Sequence, residues 1–204
     1  MQIINDMAQG SDEWKQLRLG KITASRLSDV MANGRSGAPS KTRQSYMLQL
    51  AAEILTGEAE DSFSNKYMDW GNACEPQARS MYEFDSGNVV EEVAFVIAND
   101  RFGVSPDGMV GQNGLLEIKC PKTTTQIDRF ITGKFPTEYK AQVQGQLLAT
   151  ERTWCDFVSF DPRISGPAQY FIIRVERDED YIIELQAKID IFTDELNNLL
   201  ELLK

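Results

Sequence analysis

By residue type and spacing, Asp107 and the pair Glu117 and Lys119 are the side chains best suited to do chemistry. Side chains alternate along a strand, so Glu117 and Lys119 share one face of the stretch from Gly114 to Cys120, while Ile118 points to the other. A carboxylate and an ammonium then project together from an otherwise apolar strand. Asp107 leaves the turn-like Ser105-Pro106-Asp107-Gly108 and can meet them at the sheet edge. Two carboxylates and a backbone carbonyl are the oxygen ligands that Mg²⁺ prefers. A lysine beside them can orient or deprotonate a water, or stabilise charge on a phosphate in flight. So short a pattern also suits a surface ion pair next to a turn, and the surrounding sequence has to decide.

The elements that must position these residues read as follows. Ser11 can cap a short helix that Gly20 stops, and Thr23 or Ser25 can cap a second one through Met31, ended by Asn33-Gly34. Arg35 to Ser40 is a loop. A third helix spans about Lys41 to Thr56, with Met47, Leu50, Ala51, Ile54 and Leu55 at helical spacing and Gly57 at the stop position. A fourth covers roughly Tyr67 to Phe84, where Pro76 either kinks it or begins its second part. From Val89 the period changes. Val89 to Ile97 reads as one strand, Phe102 to Val104 and Met109-Val110 as short ones, and Asn113-Gly114 as a hairpin turn before the strand that carries Glu117. Pro136 opens a helix reaching Thr150, and Cys155 to Phe160 and Tyr170 to Val175 are two further strands.

A final helix from about Asp180 to Lys204 carries Ile182, Leu185, Ile189, Phe192, Leu196, Leu199 and Leu203 in a heptad seam. That seam packs either on the chain's own core or on another subunit. The pattern as a whole is α/β, close to α+β, with a central mixed β-sheet flanked by helices.

Composition narrows the chemistry. The chain has no histidine, which excludes histidine bases, Ser-His-Asp and Cys-His catalysis and His-Glu zinc sites. Cys74, Cys120 and Cys155 are odd in number and widely spaced, which speaks against a disulfide framework or a metal cluster and suits a reducing cytoplasm. No apolar run is long enough to span a bilayer, and the first residues lack a basic head and apolar run of a secretion signal. A net charge of −10 is unfavourable for a protein of nucleic acid. Its distribution is uneven, however. Lys15, Arg18, Lys21, Arg26, Arg35, Lys41 and Arg43 face only Asp29 between Trp14 and Arg43, whereas acids dominate from Glu176 onward. A local anion site is compatible with overall acidity.

Several stretches occur together in a telling order. These are Arg18-Leu19-Gly20-Lys21-Ile22-Thr23-Ala24-Ser25, Arg35-Ser36-Gly37, Trp70-Gly71 with Glu75, Ser105-Pro106-Asp107-Gly108, Leu116-Glu117-Ile118-Lys119-Cys120-Pro121, Ala141-Gln142-Val143-Gln144 and Phe160-Asp161-Pro162-Arg163. From about Gly10 to about Tyr181 the chain resembles the lambda-type phage exonucleases of the PD-(D/E)XK nuclease superfamily. The resemblance implies a restriction-endonuclease-like core in one nuclease domain, 1–204. Within it, 1–85 is mainly helical with the 5′-phosphate and DNA-end elements, 86–176 is the catalytic sheet core and 177–204 the C-terminal helix.

By the same resemblance Asp107, Glu117 and the Ile118 carbonyl hold Mg²⁺, with Mn²⁺ able to substitute. Lys119 is the catalytic lysine, Glu75 the supporting helix acid and Gln142 the amide that positions water, with Gln144 a competing candidate. Arg18, Ser25 and Ser105 receive a terminal 5′ phosphate. Arg35 approaches the DNA end, and Met68 takes the place of an apolar wedge. The implied activity is Mg²⁺-dependent 5′-to-3′ digestion of linear double-stranded DNA. It leaves 3′ tails for a single-strand annealing recombinase, and is carried out by a ring-shaped homotrimer of phage or prophage origin in the bacterial cytoplasm, away from membranes. The alternatives are another endonuclease of the superfamily and a non-catalytic DNA-end-binding scaffold.

Overall fold

The computed structural model describes residues 1–34, 40–59 and 66–203, with the backbone alone at 66–68. Its helical N-terminal part follows local sequence rules closely. The Ser11 side chain accepts from the Trp14 amide and starts α1 (Asp12–Arg18), satisfying an orphan donor of the first turn. Ser40 caps α3 (Lys41–Thr56) in the same way, and Gly57 ends it at φ 71°. Between them Ile22–Thr23 forms the short strand β2, followed by a 3-10 turn at Ala24–Arg26 and α2 (Leu27–Met31). Neither Thr23 nor Ser25 supplies a side-chain cap, because the chain enters α2 from strand through that turn with Arg26 at the cap position.

Helix α4 runs from Lys66 to Ser86 with Pro76 inside it, so the proline neither starts nor ends the element. It removes one hydrogen-bond donor from the helix interior.

Strands fall into two mixed sheets. One has the order β1-β4-β5-β2 and the other β3-β6-β7-β8-β9. The stretch read as one strand from Val89 divides into β3 (Val90–Glu91) in the second sheet and β4 (Phe95–Ile97) in the first. The residues between leave the ladder because their carbonyls are taken by side chains: Gln9 donates to Val93, and Trp14 and Ser105 both donate to Ala94. Strand β4 pairs with β1 (Gln2–Ile4) and turns back into β5 (Phe102–Val104). In the second sheet β6 (Gly108–Val110) and β7 (Gly114–Lys119) form a hairpin. Its turn is Gly111 to Asn113, one step earlier than the Asn-Gly signal suggested, because Gly111 takes the positive φ of 53° while Gly114 is a strand residue paired with Val110. Strand β7 is parallel to β8 (Trp154–Phe160), which is antiparallel to β9 (Tyr170–Glu176).

Both faces of this second sheet are covered, which explains why β7 is buried along nearly its whole length. On one face Leu115, Cys155 and Phe157 join a core built with α2, α3, α6 (Lys140–Thr150) and α7 (Glu179–Leu202). On the other, Leu116, Ile118, Val158 and Phe160 pack on Ala78 and Tyr82 of α4. The heptad seam of α7 serves the chain's own core: Ile182, Leu185, Ile189, Phe192 and Leu196 are buried, with Leu200 in place of the exposed Leu203. No described helix is long and apolar enough to cross a membrane.

A helix absent from the sequence reading, α5 (Thr123–Thr132), lies between β7 and α6. Its pattern is inverted. Gln126 and Arg129 are buried, whereas Ile127, Phe130 and Ile131 are exposed. The inward polar groups are satisfied by Ser159, the 168–169 carbonyls and the Tyr139 hydroxyl.

Helix α6 approaches α2 closely enough that a Cβ at Gly145 would sit 2.0 Å from Leu27 Cδ1. Leu27 is itself fully buried. Replacing Gly145 with Val should therefore overpack this contact and cost about 1–3 kcal/mol. The expected readout is a lower urea midpoint at unchanged slope; an unchanged midpoint would mean that the two helices separate freely.

Candidate active site

Three elements bring the sequence-predicted acids together. Asp107 directly precedes β6, and its Oδ2 accepts from the Ile118 amide at 2.6 Å, so the side chain extends the β6–β7 ladder at its edge. Glu117 and Lys119 share the α6-facing side of β7 and form an ion pair, with the glutamate 1% exposed. From α6, Gln142 Nε2 donates to Glu117 Oε1 at 2.5 Å and Gln146 Nε2 donates to Glu117 Oε2 at 2.7 Å. Gln142 is therefore the amide that faces the acids. Gln144 points away and bridges the Glu176 carbonyl and the Asp178 amide. The opposite directions follow from a spacing of two on a helix.

Glu75 reaches the group from α4. It pairs with Arg79 one turn on, at 2.6 Å, and Arg79 also holds Glu92 at 2.9 Å and touches the Asp107 carbonyl at 3.4 Å. Sequence reasoning missed three members of this assembly, Arg79, Glu92 and Gln146. Arg79 was legible as the i+4 partner of Glu75; Gln146 was legible only as one turn beyond Gln142 on the same face.

The electrostatics are those of crowded carboxylates in a poorly solvated place. Burial, and then the charge of Glu117, push the Asp107 carboxyl well above the usual carboxylate range. Glu75 is also pushed up, by burial first and by Glu117 in part, against the pull of Arg79 and Lys119. Burial alone would lower the Lys119 ammonium, but the charges of Glu117 and Asp107 outweigh it and hold its pKa above the ordinary lysine value. Behind Lys119 lies the Tyr139 ring, 5.3 Å away, whose hydroxyl accepts from the buried Arg129 at 3.2 Å.

The donor set suits a hard divalent cation. It offers oxygen alone, and Glu75, Asp107, Glu117 and Glu92 outnumber Lys119 and Arg79. No cluster of three or more acidic, cysteine or histidine side chains placed for a metal occurs among the described residues, so side chains alone do not form a full cage. Asp107 and Glu117 with the Ile118 carbonyl would leave the remaining positions to water and phosphate, as Mg²⁺ prefers.

The second predicted group is partly assembled. Arg18 and Ser25 line one open cavity of about 330 Å³, together with Trp14, Lys15, Lys21 and Arg26. Arg18 lies flat on Trp14, 3.7 Å from the ring centroid, and burial brings its pKa down to about 10, which leaves it charged at neutral pH. Ser105 does not line this cavity. Its hydroxyl donates to the Ala94 carbonyl and accepts from Trp14 Nε1 at 3.1 Å, which steadies the indole beneath Arg18. Arg35 and the Met68 side chain lie outside the described residues.

The fold is thus that of PD-(D/E)XK-type exonucleases. The chain matches the YqaJ-like viral recombinase domain over residues 13–153 and belongs to that family. It is similar to the crystal structure of an alkaline exonuclease, LHK-Exo, from Laribacter hongkongensis, at 43% identity and TM-score 0.87, covering 95% of this chain and 96% of that one. The same exonuclease in complex with dAMP matches at 44% identity, with TM-score 0.87 and coverage of 95% and 96%. A phage-related exonuclease from Haemophilus somnus 129PT shares the fold at TM-score 0.71 and 15% identity, over 90% of this chain and 96% of that one. No curated protein matches. The likeness to lambda-type phage exonucleases agrees with these findings.

The raised carboxyls set the pH response of the cation-free protein. Asp107 and Glu75 hold protons more tightly folded than unfolded. Between the ordinary carboxylate pKa of roughly 4 and the raised values, the native state binds more protons and stability falls as pH rises. Melting in chelator should show Tm falling as pH rises above the ordinary carboxylate range of roughly 4, and Asp107→Asn should flatten that slope. A Tm that climbs over this interval, equally in both proteins, would remove Asp107 from an acidic cluster.

Proposed function

We propose that this chain is a nuclease that digests linear double-stranded DNA from 5′ ends with Mg²⁺, leaving 3′ single-stranded tails for recombination by strand annealing. The observation that carries the reading is the meeting of Asp107, Glu117 and Lys119 at the C-terminal end of the central strand β7, with Glu117 paired to the lysine and Asp107 fixed on the Ile118 amide. Asp107, Glu117 and the Ile118 carbonyl would hold the cation, which when bound supplies Lewis-acid polarisation of the phosphate and a nucleophile from water at neutral pH.

Lys119 holds a positive charge beside the attacked phosphate, and in the cation-free protein the charges of Glu117 and Asp107 hold its pKa above the ordinary lysine value. It is thereby placed to act as a charge and hydrogen-bond donor toward the phosphate. Gln142 orients Glu117 and presents its amide to the attacking side. Glu75, anchored by Arg79, adds negative charge that favours cation uptake. The cavity of Arg18 and Ser25 supplies a guanidinium and a hydroxyl for a terminal 5′ phosphate, which would set polarity by holding that end.

The ring-shaped homotrimer implied by the resemblance is part of the proposal. A ring retains its duplex topologically, so a small basic lining suffices within a chain of net charge −10. The exposed Ile127, Phe130 and Ile131 on α5 are compatible with burial against another chain. A single-strand annealing protein would take the product, and the setting would be the cytoplasm of a phage-bearing bacterium.

Linear duplex labelled differently at its 5′ and 3′ ends should lose the 5′ label first, with Mg²⁺ and not in chelator, while a covalently closed circle stays intact. Cutting of the circle would point to an endonuclease, and no nucleotide release with any divalent cation would sink the nuclease reading. Lys119→Ala should bind DNA as the parent does and cleave roughly 100-fold or more slowly. Arg18→Ala should narrow the preference for 5′-phosphorylated over 5′-hydroxyl ends; an unchanged ratio counts against the phosphate cavity.

A further inference from the structure

Of the buried glutamines described, Gln146 is held differently from the others. Gln126 is satisfied at both ends: its amide donates to the carbonyls of Ser159, Ala168 and Gln169, and its oxygen accepts from the Ser159 hydroxyl. Gln144 is likewise bonded at both ends, between Glu176 and Asp178. These two join elements of the fold. Gln146 is 0% exposed, its Nε2 donates to Glu117 Oε2, and its Oε1 is buried with no partner among the described residues. An unpartnered buried acceptor is a cost, and an apolar side chain of the same length would fill the space without it. Among the described residues the one hydrogen bond of the Gln146 side chain is to the carboxylate at the centre of the acidic group.

Helical spacing gives that contact its geometry. Gln142 and Gln146 are one turn apart on α6, and each donates to a different oxygen of Glu117. A carboxylate held by one amide can still rotate about its terminal torsion, which is broad for glutamate. Held at both oxygens it has a fixed plane. Oε1 also accepts from Lys119, so of the roughly four acceptor sites of a carboxylate the one left for a cation is on Oε2, the oxygen that Gln146 holds. Gly145, between the two glutamines in sequence, lets α6 sit against Leu27 of α2.

We infer that Gln146 is a positioning residue that sets the plane of the Glu117 carboxylate for a divalent cation. This inference rests on the nuclease reading above. Partners behind the ligands of metal sites typically change metal affinity or activity by about 10–100-fold when removed, and Gln146 is expected to fall in that range. Its effect is on the cation and not on DNA, because it has no exposed surface.

The test uses Gln146→Met, which keeps length and burial and removes the donor, with Gln144→Met as a control for loss of a structural amide. Mn²⁺ binding to the DNA-free protein is followed by the electron paramagnetic resonance signal of the free ion. Gln146→Met should weaken Mn²⁺ binding by roughly 10-fold or more and raise the half-saturating Mg²⁺ for cleavage by a similar factor, with KM for DNA unchanged. Gln144→Met should lower Tm and leave Mn²⁺ affinity as in the parent. If Gln146→Met does not fold, Gln146→Asn, one methylene short, should show a smaller loss of affinity in the same titration.

Parent-like Mn²⁺ affinity in whichever Gln146 variant folds overturns the inference. Loss of affinity equal in the Gln144 control overturns it too, since the effect would then be general loosening of α6. Failure of the parent to cleave any linear duplex would defeat the nuclease reading instead, and the Mn²⁺ titration would still decide the role of Gln146. A parent that binds no Mn²⁺ overturns both.

Discussion

A single buried carboxylate organises this molecule. Glu117 sits in the middle layer of the fold, on a strand covered from both sides, where an uncompensated charge would cost several kcal/mol. Lys119, Gln142 and Gln146 provide the compensation, and they reach it from two elements, β7 itself and α6. The requirement propagates outward. α6 has to lie close over β7, and Gly145 lets it at the same time pack tightly against Leu27 of α2. The buried face of α7 then closes over α2, α3 and α6. The core around these helices is what keeps a charged, hydrogen-bonded centre dry and fixed.

The acidic centre and the basic cavity are tied together through one irregular stretch of backbone. Between β3 and β4 the chain leaves both sheets, and its free carbonyls are taken by Gln9, Trp14 and Ser105. At one end of this stretch Glu92 is gripped by Arg79, the partner of Glu75. Near the other, Ala94 anchors the indole on which Arg18 lies. Glu75 and Arg18 are far apart in sequence and on different helices, yet both are braced against residues 92–94. Such bracing holds the basic cavity at a set offset from the acidic centre. The overall negative charge is no obstacle, because the cations that matter are collected in the N-terminal helices while the acids of α7 face outward.

Much of this was legible in the residues. Local rules gave α1 with its Ser11 cap, α3 between Ser40 and Gly57, and the alternation that sends Glu117 and Lys119 to one side and Ile118 to the other. The inverted helix α5 was not legible, because periodicity reports only an apolar face and assumes that it turns inward; here Arg129 and Gln126 turn inward to meet Ser159 and Tyr139. The division of the stretch after Val89 was missed for a related reason. An apolar run with strand propensity carries no mark of where side chains from Gln9, Trp14 and Ser105 will capture its carbonyls.

What the sequence by itself determined is therefore the set of chemical groups and their local direction: acids and a lysine on a buried strand, amides on a helix, cations gathered near the start, and no imidazole anywhere. Tertiary structure alone decided which of those groups meet. Gln142 and Gln144 are equivalent by composition and position, and only the docking of α6 on β7 turns one toward Glu117 and the other toward Glu176. Gln146 gains its place by the same docking, and Ser105 proves to support Trp14 instead of lining the cavity. The physical reason is range. Backbone dihedrals and capping act over a few residues, whereas the position of a carboxylate relative to an amide on another element depends on how whole helices and sheets pack.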